Sequence, residues 1–222
     1  MREDIRGVAF DLDGTFYPNY RFYMRLIPFV LKEWRYMLAF SRARTALRAQ
    51  FRDGNFYDLQ ALLMARILKR DGAAIKERTE RLIYRGWEPL FKKIKPYRYV
   101  KEILGELKAA GFVLGLLSDF PAERKLEYLG LDGCWDTVIC SEQVNRLKPD
   151  PAPFLELARR MALPPEQILY VGNSVSYDIV GAKRQGMKAA LVSAPLQKYR
   201  RNTGNADFVF SDYRQLRKFV LG

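Results

Sequence analysis

The chain has 222 residues, 38 Lys+Arg against 25 Asp+Glu, a formal net charge of +13, and no histidine. That length suits one domain, or one domain with a sizeable insertion, and is long enough to bury most of the unfolded chain's surface. Without histidine there is no Ser-His-Asp triad, no Cys-His pair, no phosphohistidine and no His-ligated zinc, so any chemistry falls to carboxylates, lysine, hydroxyls and backbone groups.

Arg6–Phe10 is a short apolar run that reads as a buried strand ending at Asp11. Residues 16–95 then show no convincing strand. Their apolar residues fall in helical stripes: Phe29, Val30, Trp34, Met37 and Leu38, with Pro28 expected to start or kink that helix; Leu59, Leu62, Leu63 and Ile67; and Ile75, Thr79, Leu82 and Ile83. Alternation resumes with a helix over Tyr97–Ala110, closed by Gly111, and a strand over Phe112–Leu117 leading into Ser118-Asp119. A helix over Ala122–Leu129, a strand at Thr137–Cys140 and a helix over Pro151–Met161, capped by Asp150, follow. Next come a strand at Ile168–Val171 before Gly172-Asn173, a helix over Ser176–Gln185, a strand at Lys188–Val192 and a shorter one at Asp207–Phe210. This order predicts an α/β fold: a doubly wound, Rossmann-like parallel sheet from residues 1–15 and 96–222, with an all-helical cap inserted at 16–95. Ligands bind such sheets beyond the carboxyl ends of the strands, where Asp11, Ser118 and Asn173 fall.

Asp11-Leu12-Asp13-Gly14-Thr15 carries the chemistry. Of two carboxylates so spaced past a strand, one can attack a phosphoryl group and the other can give and take a proton. Gly14 permits a sharp turn, and Thr15 can donate through its backbone and hydroxyl. Ser118 can hydrogen-bond a phosphoryl oxygen beside Asp119, and Lys148 can neutralise charge on both phosphate and nucleophile. Asn173 and Asp178 add an oxygen ligand and a carboxylate. With Asp11 and the Asp13 carbonyl they compose an oxygen-only site suited to Mg²⁺.

The set resembles the haloacid dehalogenase superfamily, in the branch with a helical cap after the first strand. The resemblance covers residues 5–20 and about 96–210, through the DxDGT motif, the strand ending in Ser118, Lys148-Pro149 and the run from Gly172 to Met187. It implies Asp11 as nucleophile, Asp13 as general acid and base, Ser118 and Lys148 on the phosphoryl group, and Mg²⁺ on Asp11, the Asp13 carbonyl and the fourth motif. It implies a phosphatase of small phosphomonoesters acting through an aspartyl-phosphate. Asp13 favours phosphoryl transfer, since dehalogenating members lack this second carboxylate. Asn173 departs from the pattern, which has an acidic residue there. Three outcomes stand open: Asp178 contacts the metal directly, Mg²⁺ binds more weakly, or activity is lost. Two other functions compete with the phosphatase: a phosphomutase on the same scaffold, and a weakly active or non-catalytic binding protein.

Residues 16–95 hold 18 Lys/Arg and seven Asp/Glu, a net +11, and 15 of the 30 aromatics. The cap could thus present a cationic, aromatic surface to an anionic partner, either a membrane surface or nucleic acid. The plainer expectation is a small bundle with a solvated basic face and one or two cap cations reaching the substrate. Four charges between Phe22 and Phe40 argue against a transmembrane segment there. The charged first residues and two cysteines, Cys134 and Cys140, without a disulfide framework suggest a cytoplasmic protein.

Overall fold

The computed structural model describes residues 4–49, 53–193 and 202–222. After β1 (Gly7–Phe10) the chain is helical: α1 (Asn19–Lys32), α2 (Trp34–Ala49), α3 (Phe56–Leu68), α4 (Gly72–Thr79), a π-helical turn at Glu80–Tyr84, the short α5 (Arg85–Trp87) and a 3₁₀ segment, Glu88–Lys93. The α/β alternation follows: α6 (Val100–Ala109), β2 (Val113–Ser118), α7 (Glu123–Leu129), β3 (Thr137–Cys140), α8 (Pro151–Met161), β4 (Ile168–Gly172), α9 (Val180–Arg184), β5 (Lys188–Val192), β6 (Phe208–Phe210) and α10 (Tyr213–Leu221).

The strands form one parallel sheet in the order β3-β2-β1-β4-β5-β6. Side chains alternate across it. Val8, Phe10, Leu116 and Val171 face α6 and α10, while Ala9, Leu117 and Tyr170 face Phe154, Leu157 and Met161 of α8. Chain direction across the sheet reverses between β1 and β4, the crevice where doubly wound sheets take ligands. The Asp11 N–H extends the ladder to the Val171 carbonyl at 2.9 Å, which fixes the motif at that point.

Three expectations need correction. Pro28 does not start its helix: α1 begins at Asn19 and passes through Pro28 to a break at Glu33, so the stripe from Phe29 to Leu38 spans two helices. The cap's core is only partly made by the expected apolar stripes: Ile75, Thr79 and Ile83 are buried as expected, while the stripes of α2 and α3 contribute only the half-buried Met37 and Leu63. Tyr36, Ala39, Phe40 and Ala43 of α2 pack on Ala61, Met64 and Ala65 of α3, together with Ile75 and Ile83. Four alanines let the two helices approach closely, and the larger Trp34, Leu38, Leu62 and Ile67 are left outside. Third, Ser176–Gln185 is not one α-helix: Val175–Ile179 is a π-helical turn that leads into α9.

The α10 helix went unread in the sequence. It carries a full capping box, Asp212 with Gln215, and buries Tyr213, Leu216 and Val220 at helical spacing. In α1, Phe22 and Leu26 pack inward, Tyr20, Met24, Ile27 and Leu31 are exposed on the outside, and the half-exposed Tyr23 borders the cleft.

Candidate active site

Two close approaches build the site's backbone. Gly14 has φ +90, and a Cβ there would lie 2.2 Å from the Asn173 amide and 2.4 Å from that of Asn19. A Cβ on Gly172 would lie 2.3 Å from the Asp178 Cβ. The positive φ of Gly14 and the close approach of Asp178 to Gly172 favour glycine at both positions, where β1's loop, β4's loop and α1 converge. The π turn sets the register that points Asp178 inward, where it is 1% exposed.

Lys148 is the hub. Its Nζ lies 2.7 Å from Asp11 Oδ1 and 2.7 Å from Asp178 Oδ1, and it donates to the Tyr170 hydroxyl at 3.2 Å. The other Asp11 oxygen accepts from the Thr15 hydroxyl at 2.7 Å. The second Asp178 oxygen accepts the backbone N–H groups of Asn173 and Ser174 at 3.1 and 2.9 Å. Burial pushes the Asp11 carboxyl up to about 7, with Asp178 adding to the rise and Lys148 opposing it. Lys148 itself is buried, which disfavours its charge, but the two carboxylates hold it protonated well above the usual lysine range.

Asp13 sits at the mouth, with one oxygen accepting from Tyr17 Oη at 2.5 Å and the other from Lys125 Nζ at 2.6 Å. Asp119 also borders the cleft, but its carboxylate is engaged by the Lys148 N–H at 3.1 Å and by Arg48 at 2.5 Å. Burial pushes the Asp119 carboxyl up, yet Lys148, Arg48 and Arg44 outweigh it and leave it below the usual carboxylate range. Ser118 is fully buried. Its oxygen takes the Phe120 N–H at 3.1 Å, and it does not border the cleft. Thr15 is likewise buried, with its carbonyl accepting from Tyr213. Thus Asp11, Asp13, Asp119, Lys148, Asn173 and Asp178 border one cleft of about 730 Å³, while Thr15 and Ser118 stand behind it.

Sequence reasoning missed the groups that the cap and α7 bring in. Arg48 of α2 borders the cleft, donating to the Lys148 carbonyl at 3.1 Å and lying 4.5 Å from the Tyr177 ring. Arg44, one helical turn earlier, enters a buried ion pair with Glu142 and donates to the Asp119 carbonyl at 2.9 Å. Lys125 lies on α7, where nothing in the sequence separates it from a solvated lysine.

Among the described residues, no group of three His, Cys, Asp or Glu is gathered tightly enough to hold a metal by itself. The donor chemistry still fits a hard divalent cation. Asp11, the Asp13 peptide carbonyl, the Asn173 amide and Asp178 are all oxygen donors on one cleft, and among the described cations Lys148 alone pairs with both buried carboxylates, Asp11 and Asp178.

A family model of haloacid dehalogenase-like hydrolases matches residues 5–186. The chain belongs to that family. It is 31% identical over 206 residues to a glyceraldehyde 3-phosphate phosphatase of Methanopyrus kandleri, covering 82% of each chain. It is 30% identical over 210 residues to a phosphoglycolate phosphatase of Shigella dysenteriae serotype 1, covering 83% of this chain and 79% of that one. A solved haloacid dehalogenase-type phosphatase from Thermococcus onnurineus has the same fold, with a TM-score of 0.66 at 24% identity and 98% of each chain covered. Among the described residues no helix is long and apolar enough to cross a membrane.

Proposed function

We propose that this protein, a phosphatase of the haloacid dehalogenase type, hydrolyses small phosphomonoesters through an aspartyl-phosphate on Asp11. The observation that carries the reading is the pairing of Asp11 with Lys148 at 2.7 Å, with Asp13 on the same cleft. Thr15 and Lys148 orient the Asp11 carboxylate from both sides. An Asp11 oxygen attacks phosphorus as the ester P–O bond breaks, and the leaving oxygen takes the proton from Asp13. Asp13 then accepts a proton from the water that attacks the aspartyl-phosphate, and inorganic phosphate is released. Tyr17 and Lys125 hold Asp13 between these steps. Asp11, the Asp13 carbonyl, Asn173 and Asp178 would hold Mg²⁺, which when bound supplies positive charge against the phosphoryl oxygens.

The test is phosphate release from a panel of phosphoesters with Mg²⁺ or with EDTA, for the native protein and Asp11→Asn. Turnover that needs Mg²⁺ and that Asp11→Asn abolishes is expected; no turnover on any ester sinks the reading. Inorganic phosphate separates hydrolysis from the phosphomutase alternative, which returns the group to an acceptor hydroxyl. Asn173→Asp adds one negative charge beside the expected metal and should lower the Mg²⁺ needed for half-activity. An unchanged Mg²⁺ requirement would place residue 173 outside the metal's contacts.

One observation favours a second role for the cap. The outer face of α1 exposes Tyr20, Met24, Ile27 and Leu31, and Lys32, Trp34, Arg35, Leu38 and Arg42 are exposed further along the cap. Aromatic and aliphatic groups among cations suit an anionic membrane surface, whereas aliphatic side chains have little to meet on nucleic acid. Salt-sensitive sedimentation with phosphatidylserine vesicles, lost in Ile27→Glu/Leu31→Glu, is the expected result. Binding to RNA or DNA instead would replace this reading.

A further inference from the structure

The catalytic cleft opens into a second cavity. This chamber, about 430 Å³, lies between α1, α2, the turn near Trp87 and the α7 approach. Phe22, Leu26, Met37, Phe40, Trp87 and Phe91 form its walls. Asp13, Asn19, Tyr23, Arg48, Phe120 and Tyr177 border both spaces, so the chamber begins at the group that protonates the leaving oxygen. Its cations are already engaged: Lys125 by Asp13, Arg44 by Glu142 and Arg48 by Asp119. Each also lies against rings: Lys125 on Phe91 and Phe120, Arg44 on Phe40, Phe56 and Phe120, Arg48 on Tyr177. Among the described residues, an anionic leaving group would therefore find mostly aromatic and aliphatic walls, the Glu88 carboxylate, the Ser41 and Thr45 hydroxyls, and no uncommitted lysine or arginine.

We infer that the preferred substrate is the phosphomonoester of a hydrophobic alcohol or phenol, whose apolar body occupies this chamber. The inference rests on the phosphatase reading and deepens it. The P–O bond to the apolar alcohol breaks as the Asp11–phosphorus bond forms, and the leaving oxygen takes the Asp13 proton. The neutral alcohol is left among rings that attract apolar groups by area and by edge-to-face contact. A two-carbon glycolate would leave most of the chamber empty and bring its carboxylate beside committed cations. Specificity in a pocket of this kind follows the apolar surface covered, at about tenfold or more for each well-buried group.

The experiment compares kcat/KM for 2-naphthyl phosphate, n-octyl phosphate, phosphoglycolate and acetyl phosphate, with Asp11→Asn as the blank. n-Octyl phosphate, which like phosphoglycolate releases an alkoxide, is expected to exceed phosphoglycolate by at least about tenfold. Met37→Trp, which fills the chamber, should lower the 2-naphthyl to acetyl phosphate ratio of kcat/KM by about tenfold. Met37→Ala should raise the tolerance for larger groups. The ratio is read on protein whose circular dichroism matches the native form, and the two variants act in opposite directions on volume. If acetyl phosphate or phosphoglycolate turns over through Asp11 while neither apolar ester gains, the chamber inference falls and the phosphatase reading stands. If nothing turns over, both fall.

Discussion

The buried pair of Arg44 on the cap and Glu142 on the core makes a prediction with an asymmetric pH signature. Glu142 is fully buried and Arg44 nearly so. Arg44 also lies 4.0 Å from the Phe120 ring centre, and Tyr84 Oη donates to Glu142 at 3.0 Å. Burial pushes the Glu142 carboxyl up against the pull of Arg44, whereas Arg44 is held charged by Glu142. In Glu142→Leu the guanidinium cannot shed its proton, so an uncompensated buried charge remains at a cost of about 3–5 kcal/mol, independent of pH. In Arg44→Met the orphaned carboxyl can escape by protonation. That escape costs about 1.4 kcal/mol for each pH unit above the unfolded value of about 4.3, so about 4 kcal/mol at pH 7 and about 1 kcal/mol at pH 5. The sign follows: a folded pKa raised above the unfolded one gives stability at low pH that is lost as pH rises. Urea unfolding at pH 5 and pH 7 reads both variants, and at this chain length each kcal/mol moves Tm by about 2–4 °C. Arg44→Met/Glu142→Leu should cost less than the sum of the singles, because it leaves no buried charge. An Arg44→Met penalty that is the same at both pH values, or a Glu142→Leu penalty under about 1 kcal/mol, would refute the buried-pair argument.

Two further outcomes follow. Asp119 is held below the usual carboxylate range, so its contribution is present above about pH 4 and fades as pH falls through the folded value. Asp119→Asn should therefore cost about 1.5–3 kcal/mol near neutrality, with the gap to the native protein closing in unfolding curves taken below pH 4. Ser141 is fully buried and its hydroxyl has no partner among the described residues. Ser141→Ala should leave stability unchanged or raise it by about 1 kcal/mol in the same urea assay, and a loss would reveal an unseen partner.

What the sequence made legible is what short-range periodicity encodes. Thr137–Cys140, Lys188–Val192 and Pro151–Met161 match their elements residue for residue, because turn residues and a cap bound each apolar run. Asp11 and Asp13 were legible because strand-end position in a parallel sheet is itself a spatial statement, and Lys148 because the Lys148-Pro149 pair stands in order with the other motifs. In the cap, Ile75, Thr79 and Ile83 were legible, but the packing of α2 on α3 was not, because these helices meet through alanines that a count of large apolar residues discounts, leaving Trp34 59% exposed. Nor were the long-range partners: 98 residues separate Arg44 from Glu142, and 112 separate Lys125 from Asp13. Each looks like an ordinary charged helix or loop residue until the fold closes. Asp178 is an intermediate case. The residue was read, but its inward aim depends on a π turn that no hydrophobic period reveals.

The cap's +11 now divides by what each charge does. Arg44 and Arg48 turn inward and close on Glu142 and Asp119, so the basic cap docks over an acidic cleft mouth through pairs sheltered from solvent. Sheltered pairs are screened little by salt, whereas the exposed Lys32, Arg35 and Arg42 are screened strongly beyond a Debye length of about 8–10 Å. The two uses of charge therefore separate by ionic strength. Raising salt should strip any anionic partner from the outer face of α1 while leaving the cap seated and the chamber intact. If kcat/KM for an apolar, singly esterified phosphate collapsed along with surface binding, the inward pair would not be what holds the cap.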